Sequence, residues 1–263
     1  MAEMFANAIG YEQLMGRWSV RLAPLYADFA QLRDFGRILD VGCGTGALVK
    51  AIAGIARSSE IVGVDPGQSF VDFARTQFKD PRITFQVGDA MQLPFADGSF
   101  DVVVCQFAVM FFPDKPKAFS EARRVLRPGG LFVFNVWDQI EQNEFADVVT
   151  RALAELFPDD PPHFLARIPH GYHDLSVVVA DLAPGGFDRV AQTTTLTEHS
   201  RADAPSVPAV AYCQGTPLRT EIESRNPSLL AKATDIAADA IAKRFGTGRV
   251  DGRIQAHIIA IER

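Results

Sequence analysis

The sequence predicts an α/β protein, a doubly wound and mostly parallel sheet with helices on both faces. Three observations carry this. Residues 38–48, ILDVGCGTGAL, read as a buried strand that runs into Gly42, Gly44 and Gly46 and restarts as a helix, with Leu48, Val49, Ile52 and Ala53 at helical spacing. Short β-branched runs then alternate with helical stretches as far as residue 137, the pattern of repeated βαβ units. Two of those runs, 61–65 and 83–87, end in acidic turns, at Asp65 and at Gly88-Asp89-Ala90, which the alternation places on one edge of the sheet. With 263 residues the chain is at the upper end of what one core supports, so a single domain over 1–263 with an inserted subdomain is expected.

Taken in order, residues 8–33 place Leu14, Trp18, Leu22, Leu25, Phe29 and Leu32 at helical spacing, giving an N-terminal helical arm over 1–34 broken near Gly16 or Pro24. The first strand is expected over 37–42 and its helix over 46–56. Strand 61–65 is followed by a helix over 67–78, whose Phe70, Phe73, Ala74 and Phe78 share one face. Strand 83–87 comes next, and a turn at Asp97-Gly98 introduces strand 101–107. A helix over 114–125 leads through a Pro128-Gly129-Gly130 turn into strand 131–137. Beyond Trp137 the expectations are a helix over 144–156, a proline-rich irregular segment over 157–174, a short helix over 175–182 and a strand over 187–198. Helices fill 203–245, and a buried strand spans 254–262.

The glycine turn is expected to leave backbone N–H groups free at a helix start, a place where open α/β sheets bind nucleotides. Two ligand classes fit it. Gly42, Gly44 and Ala47 satisfy the loose dinucleotide fingerprint, with Asp65 at about the right interval. Asp40, two residues before the first glycine, would repel a pyrophosphate but attract a ligand carrying sulfonium and ammonium charge. Five ordered stretches, ILDVGCGTG, VGVDP, GDA, LPFADGSFDVVVC and LRPGGLFVFNVW, together resemble the class I S-adenosylmethionine-dependent methyltransferases, of the small-molecule, type 11-like kind.

That resemblance covers 35–137 as the cofactor-binding core and implies a Rossmann-like methyltransferase fold of seven strands, the last inserted antiparallel. It implies S-adenosylmethionine as methyl donor and S-adenosylhomocysteine as product. The residues it assigns to the cofactor are Arg17 from the arm, Asp40, Gly42, Cys43, Gly44, Gly46, Asp65 with Pro66 at the ribose, Asp89 and Ala90 at the adenine, and Gln106 beside the reacting methyl with Phe107. Plainer roles compete: Asp65 could cap a helix with Pro66 in its first turn, Cys43 could be a small filler, and Met110, Phe111 and Phe112 could be core. The segments 138–174 and 200–249 are expected to form a helical cover on the substrate side.

Methyl transfer from a sulfonium needs mainly alignment and exclusion of water, so no catalytic triad is required. His170 and His173 are the candidate bases, and no metal ligand set is present. After strand 101–107 the chain reads CQFAVMFFPD, without the Asn/Asp-Pro-Pro-Tyr quartet of many nitrogen methyltransferases of this fold. A net charge of −6 argues against a nucleic-acid partner. Three scattered cysteines, no basic-then-apolar leader and no long apolar run give a cytoplasmic protein with no membrane span. Other functions in view are an NAD(P)-dependent oxidoreductase and a catalytically silent S-adenosylmethionine-binding protein.

Overall fold

The computed structural model describes residues 36–263. The arm over 1–34, with Arg17 and Trp18, lies outside the described residues.

Apolar, β-branched runs form β1 (Arg37–Val41), β2 (Glu60–Asp65), β3 (Ile83–Val87), β4 (Phe100–Gln106) and β5 (Leu126–Trp137), all mutually parallel where they pair. Between them run α1 (Ala47–Ile55), α2 (Gln68–Gln77) and α3 (Lys115–Val125). After β5 come α4 (Glu144–Leu156), α5 (Phe164–Arg167) and α6 (Leu175–Ala180). Next are β6 (Gln192–Ala202), α7 (Ser206–Gly215), α8 (Leu218–Arg225), α9 (Leu230–Phe245) and β7 (Val250–Glu262).

The sheet order is β3-β2-β1-β4-β5-β7-β6, with β7 antiparallel to both its neighbours. The seven-stranded sheet with its inserted antiparallel strand is therefore the architecture present. The order reverses between β1 and β4, so their carboxyl ends open a crevice at the switch point of the sheet.

Two cores sandwich the sheet. On one face Phe119 of α3 packs against Phe132 and Phe134, ring centroids 5.8 and 5.2 Å apart, and Phe187 stacks on Phe132. On the other, Leu48, Val49 and Ile52 of α1 and Val71 and Ala74 of α2 cover Ile38, Ile61, Val102 and Val104. A third core joins α4, α5, α7, α8 and α9 to Val250 and Ile254 of β7. Phe107, Phe111 and Trp137 pack against both this helical core and the Phe119 core, forming a seam between helices and sheet.

Where boundaries differ from the sequence expectation, pairing explains it. Pro128-Gly129-Gly130 is no separate turn. Leu126 already pairs with Phe100, and the ladder resumes at Leu131–Val102, so the glycines form a bulge inside β5. The strand expected over 187–198 starts at Gln192, because Phe187 is committed to the core, and it continues to Ala202 against β7, which itself begins at Val250. The cover segment drawn as 200–249 thus has its first residues, Ser200 to Ala202, in the sheet, and its helices start at Ser206. The irregular 157–174 contains the four-residue α5.

Candidate functional site

The crevice is lined by Asp40, Gly42, Cys43, Gly44, Thr45, Ala47, Leu48, Gln106 and Phe107. Chain geometry dictates this wall. Gly42 has φ 74, and a Cβ there would stand 2.5 Å from Ala108 Cβ, so only glycine lets the β1–α1 turn press against the end of β4. Gly44, φ 53, has nothing within 4 Å of a would-be Cβ, so a side chain there would fill the crevice instead.

The glycine amides are not free, contrary to expectation. Gly42 and Cys43 donate to Val64 O at 2.8 and 3.1 Å, Gly44 to Asp65 Oδ2 at 3.0 Å, and Gly46, the N-cap of α1, to Cys43 O at 2.9 Å. The open donors are those of the first helical turn, where Ala47 and Leu48 border the crevice. With its glycine amides spent on the fold, the turn offers a pyrophosphate little.

Its electrostatics point the same way. Asp40 is 1 % exposed, and neither carboxylate oxygen has a hydrogen-bond partner among the described residues. Burial, helped by the nearby Asp65 charge, pushes its pKa up to about 8. Two buried lone-pair-rich oxygens at the mouth of a crevice are costly unless a ligand meets them, and a cationic group is the chemistry that does so. Asp65 Oδ1 accepts from Gly67 N at 2.8 Å while Oδ2 holds Gly44 N. Its pKa is raised by burial and held back by those two bonds. Each oxygen keeps a further acceptor site open to a hydrogen-bond donor. Asp65 does not cap α2: the N-cap is Gly67, and Pro66 precedes it.

Among the residues expected at the cofactor, Asp40, Gly42, Cys43, Gly44 and Gln106 come together around the crevice, and Asp65 joins through Gly44. Pro66, Gly46, Asp89 and Ala90 do not border it. Asp89 Oδ1 accepts from Met91 N at 2.9 Å, and Ala90 is buried. Cys43 is a buried thiol whose pKa burial and the two carboxylates drive well above normal, which makes it inert filler. Gln106 Nε2 is buried without a partner among the described residues, a second unspent polar group at the crevice. Sequence reading missed Thr45, Ala47 and Leu48 as lining residues, although their place straight after the glycines was the available signal.

The histidine candidates lie behind this wall. His170 is 5 % exposed, its Nδ1 bonds Asp138 O at 2.8 Å, and its ring centroid is 6.1 Å from that of Trp137. Burial lowers its pKa to about 4. His173 Nδ1 meets His170 O at 2.7 Å. Neither borders the crevice. His257 is spent on Asp138 Oδ1 at 3.1 Å and Thr195 Oγ1 at 2.8 Å.

Comparison with known proteins agrees with this geometry. The profile described as "Methyltransferase domain" matches residues 39–134. A demethylmenaquinone methyltransferase of Symbiobacterium thermophilum is 40 % identical over 133 residues, 48 % of this chain and 52 % of that protein. An O-methyltransferase of Penicillium expansum is 34 % identical over 162 residues, 60 % of this chain and 54 % of that protein. The chain thus spans about half the length of the curated relatives it matches. Among solved structures, the YcgJ protein of Bacillus subtilis superposes with TM-score 0.59 at 22 % identity, covering 94 % of this chain and 98 % of that one. A Haemonchus contortus N-methyltransferase in complex with phosphomonomethylethanolamine and S-adenosylhomocysteine gives TM-score 0.59 at 20 % identity, covering 97 % of this chain and 56 % of that one. Sheet order, glycine turn and crevice agree with that match: residues 39–134 are similar to a methyltransferase domain, and the fold is that of the solved N-methyltransferase.

Proposed function

We propose that the protein transfers a methyl group from S-adenosylmethionine to a small organic acceptor. The observation that carries this is Asp40, buried at the switch-point crevice with both oxygens unpartnered among the described residues. It suits the cationic methionine end of the donor and would repel a pyrophosphate. In this reading the remaining lone pairs of Asp65 take the ribose hydroxyls, and Asp89 and Ala90 stand at the adenine. Arg17 meets the donor's carboxylate. Gln106 offers its unspent Nε2 beside the methyl group. When bound, the donor supplies an already activated methyl on sulfur, and the chain's task is to align the acceptor and exclude water.

The acceptor side belongs to the cover. Phe107, Phe111 and Trp137 at the seam, with Ile140 and Ile168 from the segment 138–174, make its approach apolar. Proximity carries the reaction in this reading, since burial makes His170 a weak proton acceptor and neither it nor His173 borders the crevice. The two curated relatives quoted above are named for a menaquinone precursor and for oxygen methylation, which supports a small organic acceptor. A net charge of −6 argues against nucleic acid. No helix among the described residues is long and apolar enough to cross a membrane, and we place the protein in the cytoplasm.

Calorimetry with S-adenosylhomocysteine and with NAD tests the donor. Binding of the first and not the second is expected, and the reverse preference would return the oxidoreductase reading. Incubating the protein with S-adenosylmethionine and a metabolite extract separates an enzyme from a silent binder, because only an enzyme accumulates S-adenosylhomocysteine.

A further inference from the structure

Phe107 is the one non-glycine among the described residues with a left-handed backbone, φ 52. A bulky side chain is disfavoured there, so the surroundings must impose the conformation. They do so twice. The Phe107 N–H donates to Asn135 Oδ1 at 2.9 Å. Its ring stacks on Trp137 with centroids 3.9 Å apart and planes 12° from parallel. Asn135 is 2 % exposed and sits opposite Gln106 in the β4–β5 ladder. Asn135 and Trp137 are two positions apart on β5 and so share a face. One strand therefore supplies both the acceptor that fixes the backbone of Phe107 and the ring that fixes its side chain.

Phe107 also borders the crevice, next to Gln106, and belongs to the seam where the helical cover meets the sheet. We propose that Asn135 is a positioning residue for acceptor selection: it holds Phe107 so that its ring, backed by Trp137, stands as a flat aromatic wall favouring a planar, unsaturated acceptor. The assignment rests on the methyltransferase reading above and adds the shape of its substrate. Without Asn135 the buried N–H loses its partner, the backbone relaxes out of the left-handed region, and the ring leaves Trp137.

The test uses the full chain saturated with S-adenosylhomocysteine, with 2-naphthol and its saturated counterpart 2-decalol as probes. Affinities are measured by calorimetry for the parent, Asn135→Ala and Asn135→Asp. Asn135→Ala should lower the naphthol-to-decalol affinity ratio about fivefold, the worth of one aromatic stacking contact. Asn135→Asp keeps an acceptor oxygen and should restore most of the ratio. S-adenosylhomocysteine affinity should change less than about twofold in the two Asn135 variants. In a Trp18→Phe background, Trp137 is the remaining tryptophan, and its emission should shift in Asn135→Ala but not in Asn135→Asp. Phe107→Leu, which keeps the Asn135 bond and removes the wall, should lower the ratio as Asn135→Ala does, and it decides the matter if Asn135→Ala fails to fold. An unchanged ratio in Asn135→Ala or Phe107→Leu, or an equal loss of S-adenosylhomocysteine binding in Asn135→Ala, would overturn the assignment. A parent that does not bind S-adenosylhomocysteine would instead overturn the methyltransferase reading itself.

Discussion

Replacing Asp40 by Asn should remove a pH dependence from both cofactor binding and stability. In the free protein the Asp40 carboxyl titrates at about 8, so at pH 7 only about a tenth of the molecules carry its charge. A ligand that needs the carboxylate must first drive off that proton, which costs ~1.4 kcal/mol per pH unit below the pKa. Affinity for S-adenosylhomocysteine should therefore rise about tenfold from pH 6 to pH 7 in the parent and stay flat in Asp40→Asn. Working below about pH 7.5 keeps the ligand's own amine protonated. Adenosine, which lacks the cationic end, should show no slope with either protein. Stability moves the opposite way with pH. The folded-state pKa lies above the ordinary 3.8, so between these values the fold keeps a proton that the unfolded chain has released. This contribution is fully present below about pH 4 and is lost as pH rises through 8, by at most ~1.4 kcal/mol per unit. In urea titrations without ligand, Asp40→Asn should gain on the parent steadily from pH 5 to pH 8. Parallel pH profiles in both assays would refute the reasoning.

Other outcomes follow from the same geometry. Asp65→Ala unpairs the amides of Gly44 and Gly67 and should weaken S-adenosylhomocysteine binding by ~1–3 kcal/mol by calorimetry; unchanged affinity would remove Asp65 from the site. Phe119→Ala empties a fully buried ring position between Phe132 and Phe134 and should cost ~3–5 kcal/mol in urea unfolding, with a cost under about 1 kcal/mol counting against that core. Because burial holds His170 neutral above about pH 4, His170→Asn should leave the shape of a turnover profile between pH 6 and 9 unaltered, whereas loss of an inflection there would make it a working base.

The parallel half of the sheet was legible because its constraints are local. Glycines demanded by positive φ, an acid at a strand end and alternating βαβ segments are all written within a few residues of one another. What stayed hidden depends on distant partners. The ends of β6 and β7 are set by eleven residues of mutual pairing, not by their own pattern. The Pro128–Gly130 segment reads as a turn until Phe100 is seen to claim Leu126. Gly42 and Gly44 looked like open donors because Val64 O and Asp65, their acceptors, lie on the neighbouring strand. Asn135 gave no signal, since an asparagine inside LFVFNVW acquires meaning only when the end of β4 turns left-handed beside it. His170 and His173 were attractive by type and loop, and the burial of His170 beside Trp137 is a tertiary contact that no local pattern announces.

The place of β7 has a consequence for how the molecule is made. In sequence β7 follows β6, yet in space it lies between β6 and β5. A ribosome thus delivers β6 with no strand to join, and β5 with an unpaired backbone edge over Leu131–Trp137 that stays open through the synthesis of α7, α8 and α9. Only when Val250–Glu262 emerges does one insertion pair both edges at once. A chain halted before residue 250 would display two unpaired strand edges, the kind of surface that seeds aggregation. Truncations there should be recovered as inclusion bodies, however complete their cofactor motifs.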